Sequence, residues 1–318
     1  MQRLVKDMLT LTRLNLPASF DRKRIILNFV SLYCLSVISR ITSGFRRAPR
    51  WQQTNVKIDS EIWQSFNHII SMYVKYLSPR YLLQTYVIRG VATGWHSKSY
   101  IDFLKGNFTK EHLDRIPLRL LTKVEQVSNS LSKEFAGLQE DTVNRWLSTY
   151  QFGLSDFHTS ADELTEKLEN TLIIELGAGT GANAAVHASI SNKGVYIFDI
   201  PPMLQLQQRI MNKIEKSVDL SPVTYFHDPQ ELIKAAKQQP YIVVSYWAFT
   251  EFPENLRKTL DPLIEHSDFS FFACNSHFEG IDNLDYFKEL PMRLKNKDVQ
   301  SRPISWNPYK NHSYVMVK

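Results

Sequence analysis

The sequence predicts an α/β fold, a mostly parallel sheet covered by helices on both faces, with a helical region before it. After Gly153, short apolar runs alternate with helical patterns, which is the arrangement that builds parallel sheets. Three of the eleven glycines fall within five residues, directly after the first of these runs. Before residue 150, apolar residues recur at helical spacing instead. We therefore divide the chain into a helical region, residues 1–150, and an α/β domain, residues 151–318.

The elements of the α/β domain follow the positions of the apolar runs. Because buried parallel strands are short and apolar, we expect strands at residues 172–174, 194–200, 223–226, 241–245, 269–274 and 313–317. Helices are expected at residues 162–168, 182–190 and 203–216. A further helix should begin at Asp228, which precedes Pro229 and Glu231. In the helical region, an apolar stripe from Leu120 to Leu131 predicts one of several helices.

The glycine cluster lies where the first strand meets the next helix. Gly177, Gly179 and Gly181 supply positions that tolerate a positive φ or that lack a side chain, so a ligand can approach bare backbone. The Ala-rich helix that follows directs its first N–H groups at the same ligand. This arrangement predicts a nucleotide-like cofactor.

The glycine turn fits two cofactor classes. As G-x-G-x-x-A it matches a dinucleotide fingerprint, in which Asp199, about twenty residues further on, would hold a ribose. As Glu-x-Gly-x-Gly-x-Gly it resembles the first motif of class I S-adenosylmethionine-dependent methyltransferases, which implies that Glu175 lies near the ammonium of the cofactor's methionine end. A dinucleotide pyrophosphate gains nothing from a carboxylate there. Glu175 therefore favours S-adenosylmethionine as the cofactor.

Residues that end the predicted strands are the other candidates for binding, because ligands of such sheets lie beyond the carboxyl ends of the strands. Asp199 ends the second strand beside Ile200, and its carboxylate can accept both ribose hydroxyls. Asp228 follows the third strand and has two open interpretations, a helix cap alone or a cap that also contacts the adenine. Ser245 and Tyr246 end the fourth strand, where they are expected to contact the cofactor or the acceptor.

Three segments of the domain together resemble the sugar O-methyltransferase family. They are Ile174–Gly181, Tyr196–Pro201 followed by Leu204–Gln208, and Val243–Glu251, within a match over about residues 165–290. The resemblance implies a class I methyltransferase Rossmann-like fold, with a mostly parallel seven-stranded sheet closed by an antiparallel hairpin. It also implies transfer of a methyl group from S-adenosylmethionine to a hydroxyl of a sugar or glycan. The chain departs from the family at Ile200, where leucine is usual, at Tyr246–Trp247, where the family has Asn-Tyr, and at Thr250, where it has serine.

Methyl transfer to a hydroxyl needs a base or a metal ion that removes the proton. His277, just after the fifth strand, is the first candidate for the base, and Glu251, after the fourth strand, is the second. A divalent metal ion is the open alternative, with carboxylates but no recognised ligand spacing at Glu251, Glu279, Asp282 and Asp285. Two other function classes also stay open: an NAD-dependent dehydrogenase or epimerase that uses the same glycine turn, and a cofactor-binding module without turnover.

Basic charge is confined to the first 50 residues. The net charge of the chain is +6, yet residues 1–50 hold ten Lys and Arg against two acidic residues, and the remainder holds 28 against 30. The catalytic domain is therefore not expected to bind nucleic acid. The basic segment is expected to contact an anionic membrane surface or a partner, or to be a solvated arm. Its apolar stretch, residues 25–41, fits a core helix, a membrane-surface helix, or a span or uncleaved signal. Two cysteines in apolar surroundings fit a cytoplasmic protein, peripheral to the membrane where residues 1–50 bind it.

Overall fold

The computed structural model describes most of the α/β domain and part of the preceding region, namely residues 67, 70, 71, 74, 116–134, 157, 160–278, 281–295, 297–304 and 311–318. The expectations for residues 1–50 and for Glu279 lie outside these ranges, and the domain boundary at residue 150 stays a prediction. Within the described ranges, every helix is too short or too polar to cross a membrane.

The predicted elements that fall on described residues are present in the predicted order, and two helices and three strands occur in addition. The helices are α1 (Leu118–Glu134), α2 (Ala161–Asn170), α3 (Ala182–Ile190), α4 (Pro201–Ile214), α5 (Pro229–Ala236), α6 (Glu254–Glu265) and α7 (Asn283–Arg293). The strands are β1 (Leu172–Leu176), β2 (Val195–Phe198), β3 (Val223–Phe226), β4 (Tyr241–Tyr246), β5 (Ser270–Asn275), β6 (His277–Phe278), β7 (Ile281–Asp282), β8 (Val299–Pro303) and β9 (His312–Val317).

Seven of these strands form one sheet in the order β3-β2-β1-β4-β5-β9-β8. Strands β1 to β5 are parallel, and β9 lies antiparallel between β5 and β8. The first strand, β1, lies in the middle of the sheet. β2 and β3 follow on one side of it, and β4, β5 and the hairpin of β8 and β9 lie on the other side. This is the class I methyltransferase fold that the sequence predicts, including the closing antiparallel hairpin.

Several predicted bounds were wrong at the polar ends of elements. β2 stops at Phe198 rather than at residue 200, because the Asp199 carboxylate accepts a hydrogen bond from the N–H of Ile200 and turns the chain. α4 starts two residues early, at Pro201, since proline is favoured in the first helical turn. β5 extends to Asn275, which pairs with His312 of β9.

Two apolar cores cover the two faces of the sheet. α1 to α4 pack on one face, and α5 to α7 pack on the other. Side chains of a strand alternate between faces, so Ile173 and Glu175 of β1 lie on the face of α3, whereas Ile174 lies opposite. Tyr246 of β4 also belongs to the α3 face. All nine residues of α3 are buried, because its alanines allow this helix to lie close against the strands.

Candidate functional site

The parallel strands bring most of the candidate residues to one edge of the sheet. β1 pairs with β2 and β4, and β2 pairs with β3, so the carboxyl ends of these four strands are adjacent. Glu175 is the penultimate residue of β1, and Asp199 and Asp228 follow β2 and β3. Ser245 and Tyr246 end β4. The fold therefore assembles on one side the residues that the sequence separates by up to 71 positions.

The glycine turn has the backbone that the sequence predicts. Gly177, Gly179 and Gly181 have φ angles of 72°, 57° and 82°, in the left-handed region that other residues rarely adopt. A Cβ at Gly177 would overlap the Cβ of Ala248, in the segment after β4. The positive φ and the close approach of that segment both require glycine at this position.

Gln207 of α4 closes the turn from the side and is not among the site residues predicted from the sequence. Its Nε2 donates to the carbonyl of Gly179 at 2.9 Å and to the carboxylate of Asp199 at 2.7 Å. Its other amide atom, Oε1, is buried and has no hydrogen-bond partner in the described part of the chain. A Cβ at Gly181 would lie 3.0 Å from its Cγ. The Leu204–Gln208 segment was part of the family resemblance, which is the signal that could have singled out this residue.

Asp199 is held by two donors and carries an unusual pKa. One carboxylate oxygen accepts from the N–H of Ile200 at 2.8 Å and the other from Gln207. Burial raises the pKa of Asp199 to about 7, although these hydrogen bonds oppose the shift, and the charge of Glu175 adds to it. Each oxygen has a second lone pair, so the carboxylate can still accept from a ligand.

Glu175 lies at the base of the turn but does not face open solvent. It is 1% exposed, and its Oε2 lies 3.0 Å from Nδ1 of His187 on α3. The other ring nitrogen of His187 lies 3.0 Å from the hydroxyl of Tyr246. This buried chain of three side chains is a feature that spacing along the sequence does not indicate.

Ser245 and Tyr246 fix the end of β4. Ser245 is fully buried, and its Oγ donates to the carbonyl of Leu176 at 2.7 Å and accepts from the N–H of Phe249 at 2.9 Å. These bonds tie β4 to the end of β1. The Tyr246 hydroxyl is directed to His187. Both predicted residues therefore shape the site through protein contacts.

Trp247 follows β4 with a φ of 70°, the only positive φ of a residue other than glycine in the described chain. Its backbone N–H donates to Ala273 at 2.7 Å, and its indole Nε1–H donates to Nδ1 of His312 at 2.8 Å. Burial lowers the pKa of His312 to about 4, so this ring is neutral and Nδ1 accepts. Backbone strain of this kind is typical of functional sites, where surrounding contacts hold it.

The remaining candidates occupy helix starts and loops. Asp228 caps α5, with its Oδ1 accepting from the N–H groups of Gln230 and Glu231. Ile200 occupies the residue before α4. Glu251 ends a short 3₁₀ turn, Phe249–Glu251, after β4. The cap is therefore confirmed for Asp228, while its contact with a cofactor stays a prediction.

His277 belongs to a short hairpin rather than to a loop, because β6 pairs with β7. Its side chain is 66% exposed, and its Nε2 lies 3.2 Å from Oδ2 of Asp282. Hydrogen bonds from the N–H groups of Asp285 and Leu284 hold the pKa of Asp282 below its usual value, and His277 adds to this effect. Among the residues that the structure describes, no cluster of three or more His, Cys, Asp or Glu could hold a metal ion.

The similarity of this chain to known proteins is one of fold alone. No protein-family model and no curated protein matches this sequence. Similar solved structures include magnesium protoporphyrin IX methyltransferase from Synechocystis PCC 6803 with bound SAM, which is 12% identical, with a TM-score of 0.41 over 61% of this chain and 89% of that chain. An rRNA methylase from Streptococcus thermophilus is 14% identical, with a TM-score of 0.39 over 49% of this chain and 92% of that chain.

Proposed function

We propose that this protein is an S-adenosylmethionine-dependent O-methyltransferase that acts on a hydroxyl of a sugar or glycan. The observation that carries the proposal is the glycine turn with two carboxylates beside it, Glu175 at the end of β1 and Asp199 after β2. S-adenosylmethionine presents an ammonium at its methionine end and the two hydroxyls of its ribose. A carboxylate at each of these two places suits that pair of groups, and the start of α3 suits the polar atoms between them.

The residues around the turn fit such a cofactor. Gly177 and Gly181 leave bare backbone, and the buried Oε1 of Gln207 has no hydrogen-bond partner among the described residues. A buried carbonyl oxygen without a donor is destabilising, and a ligand hydroxyl or amine would relieve it. When bound, S-adenosylmethionine supplies an activated methyl group. The protein's part is to orient it and the acceptor, exclude water, and accept the acceptor's proton.

The dehydrogenase alternative fits less well. Glu175 is a buried carboxylate two residues before Gly177, where the pyrophosphate of NAD would bring further negative charge. Tyr314 and Lys318 have the Tyr-x-x-x-Lys spacing that such enzymes use for catalysis. However, β9 is antiparallel to β5, so Lys318 follows β9 at the opposite edge of the sheet, where it donates to Phe157.

The sugar acceptor rests on the family resemblance and on the end of β4. Trp247 is partly exposed, and His312 fixes its indole N–H in place. An indole face held in this way is an apolar platform for the C–H face of a sugar ring, while its hydroxyls are left for polar groups. His277, oriented by Asp282, is proposed as the base, with Glu251 as the second candidate.

Asp199 gives a prediction about cofactor affinity. Asp199→Ala should weaken S-adenosylhomocysteine binding by about 1.5–3 kcal/mol, the range for hydrogen bonds to a charged group. Ribose hydroxyls donate to the ionised carboxylate, and the pKa of Asp199 is raised to about 7. Affinity of the wild-type protein should therefore rise as pH increases through about 7, because the proton no longer has to be displaced.

Isothermal titration calorimetry between pH 5.5 and pH 8.5 would measure both effects. Asp199→Asn is the matched control, since it cannot ionise and should give an affinity that changes little with pH. An Asp199→Ala variant that folds and binds with unchanged affinity would remove Asp199 from the ribose site.

The function itself is tested with methyl-labelled S-adenosylmethionine and a glycan extract of the native cell. Label incorporated into a glycan, and identified as a methyl ether, is the expected result. Label in a protein, lipid or nucleic acid would keep the methyltransferase and overturn the acceptor. Binding of the cofactor without transfer to any fraction would favour a module without turnover.

A further inference from the structure

A buried polar chain joins β1, α3 and β4 beside the glycine turn. His187 lies between Glu175 and Tyr246, with each of its ring nitrogens 3.0 Å from one partner. The rings of His187 and Tyr246 are stacked with centroids 5.9 Å apart. The three residues are 1–7% exposed. Polar groups this deeply buried need hydrogen-bond partners, and here each residue supplies one for the next.

The hydrogen bonds among Glu175, His187 and Tyr246 have a preferred direction. Burial raises the pKa of Tyr246 well above its usual value, and the charge of Glu175 adds to the shift, so the hydroxyl keeps its proton. This hydroxyl then donates to Nε2 of His187, which leaves the Nδ1–H to donate to the Glu175 carboxylate. Within the described chain, no Lys or Arg lies within salt-bridge distance of Glu175. Among those residues, no fixed cation competes with a ligand's ammonium for this carboxylate.

We propose that His187 is a positioning residue for cofactor binding, which holds the Glu175 carboxylate so that its second oxygen receives the ammonium of the methionine end. The inference rests on the proposed S-adenosylmethionine site. His187 itself touches neither the cofactor nor the acceptor. Tyr246 holds the far side of the ring, and α3 fixes its backbone, so the carboxylate has one orientation before the ligand arrives.

The three hydrogen-bonded side chains also connect the two sides of the site. Tyr246 is followed by the strained Trp247 and by Ala248, which lies against Gly177. A ring that holds both Glu175 and Tyr246 therefore fixes the glycine turn relative to the segment after β4. Preorganisation of this kind lowers the cost of ordering the site when a ligand binds.

Two amide variants separate the two hydrogen bonds of His187. The side-chain nitrogen of asparagine stands as many bonds from Cβ as Nδ1 does, and that of glutamine as many as Nε2. His187→Asn should therefore keep the donor to Glu175, and His187→Gln should keep a contact with Tyr246 but lose that donor. Both variants leave a polar amide in the same buried place, so their costs to the fold are similar.

Two ligands then test whether the effect of each variant depends on the ammonium of the ligand. S-adenosylhomocysteine carries the amino-acid end, and 5′-methylthioadenosine lacks it. We expect His187→Gln to weaken S-adenosylhomocysteine binding about tenfold, while His187→Asn stays within about twofold of the wild type. Affinity for 5′-methylthioadenosine should stay within about twofold in both variants, as measured by isothermal titration calorimetry.

Ser189→Ala is the matched control, because Ser189 is a buried polar residue of the same helix whose Oγ donates only to Val186 in the described contacts. It should change neither affinity. Thermal unfolding without ligand, followed by circular dichroism, reports on the free protein. Equal weakening of both ligands by His187→Gln would mean a merely structural histidine and would overturn the inference. A wild type that binds neither ligand would overturn the cofactor assignment, and the inference with it.

Discussion

His277→Ala is expected to lower turnover roughly 10²–10⁴-fold while leaving S-adenosylmethionine affinity nearly unchanged, which is the usual effect of removing a general base. Nε2 of His277 lies 3.2 Å from Oδ2 of Asp282, so Nδ1 is the ring nitrogen that is left to accept a proton. A proton acceptor oriented by a carboxylate is the arrangement that a base requires. The side chain is also exposed, so an acceptor can reach it.

The measurement is the rate of methyl transfer to the glycan identified with labelled cofactor, alongside calorimetry for cofactor affinity. His266→Ala is the control, because His266 is an exposed histidine that ends α6 at the far edge of the sheet. Its turnover should equal that of the wild type. Full activity of His277→Ala would assign the base to Glu251 or to a metal-bound hydroxyl. Loss of turnover on addition of a chelator would then identify the metal-bound hydroxyl. Loss of both turnover and affinity would indicate a structural histidine.

Gly177→Ala is expected to destabilise the protein by about 2–5 kcal/mol. The left-handed backbone costs a residue with a Cβ about 1–2 kcal/mol, and overpacking adds about 1–3 kcal/mol. Gly177 has a φ of 72°, and an added Cβ would overlap that of Ala248. Urea denaturation, followed by circular dichroism, measures the free energy of unfolding.

A double-mutant cycle separates the two contributions to this cost. Ala248→Gly removes the atom that the new Cβ would overlap, so the pair Gly177→Ala and Ala248→Gly should recover the overpacking part and keep the backbone part. Additive effects of the two substitutions would mean that the segment after β4 does not pack on the turn. A stability within about 0.5 kcal/mol of the wild type for Gly177→Ala would contradict the turn geometry itself.

The central strands were predictable because their signal is local. β1 and β4 open with continuous apolar runs, residues 172–174 and 241–244, and the glycine spacing after β1 marks the turn. β8 carries no such signal. Its residues, Val299–Pro303, are mostly exposed and include Gln300 and Arg302, and its place at the end of the sheet is determined by pairing with β9. Pro262 lies inside α6 and Pro291 inside α7. Because proline disfavours the interior of a helix, these two helices were not predicted either.

The placing of the candidate residues at strand ends was predictable from the sequence, but the hydrogen bonds that join them to other side chains were not. Glu175 and Asp199 were found because a carboxylate at a strand end is visible in the sequence. Their partners were not, since His187 lies within an alanine-rich helix and Gln207 within an amphipathic one. Tyr246 and His187 are 59 positions apart, and only the pairing of β4 with β1 brings them onto the same face.

Calorimetric titration of the wild-type protein with S-adenosylhomocysteine and, separately, with NAD tests the central claim most directly. We expect that S-adenosylhomocysteine binds and that NAD shows no binding under the same conditions. Glu175→Gln should weaken S-adenosylhomocysteine binding, because it removes the carboxylate proposed to face the ammonium. Tight binding of NAD without binding of S-adenosylhomocysteine would contradict the account and assign the glycine turn to a dinucleotide.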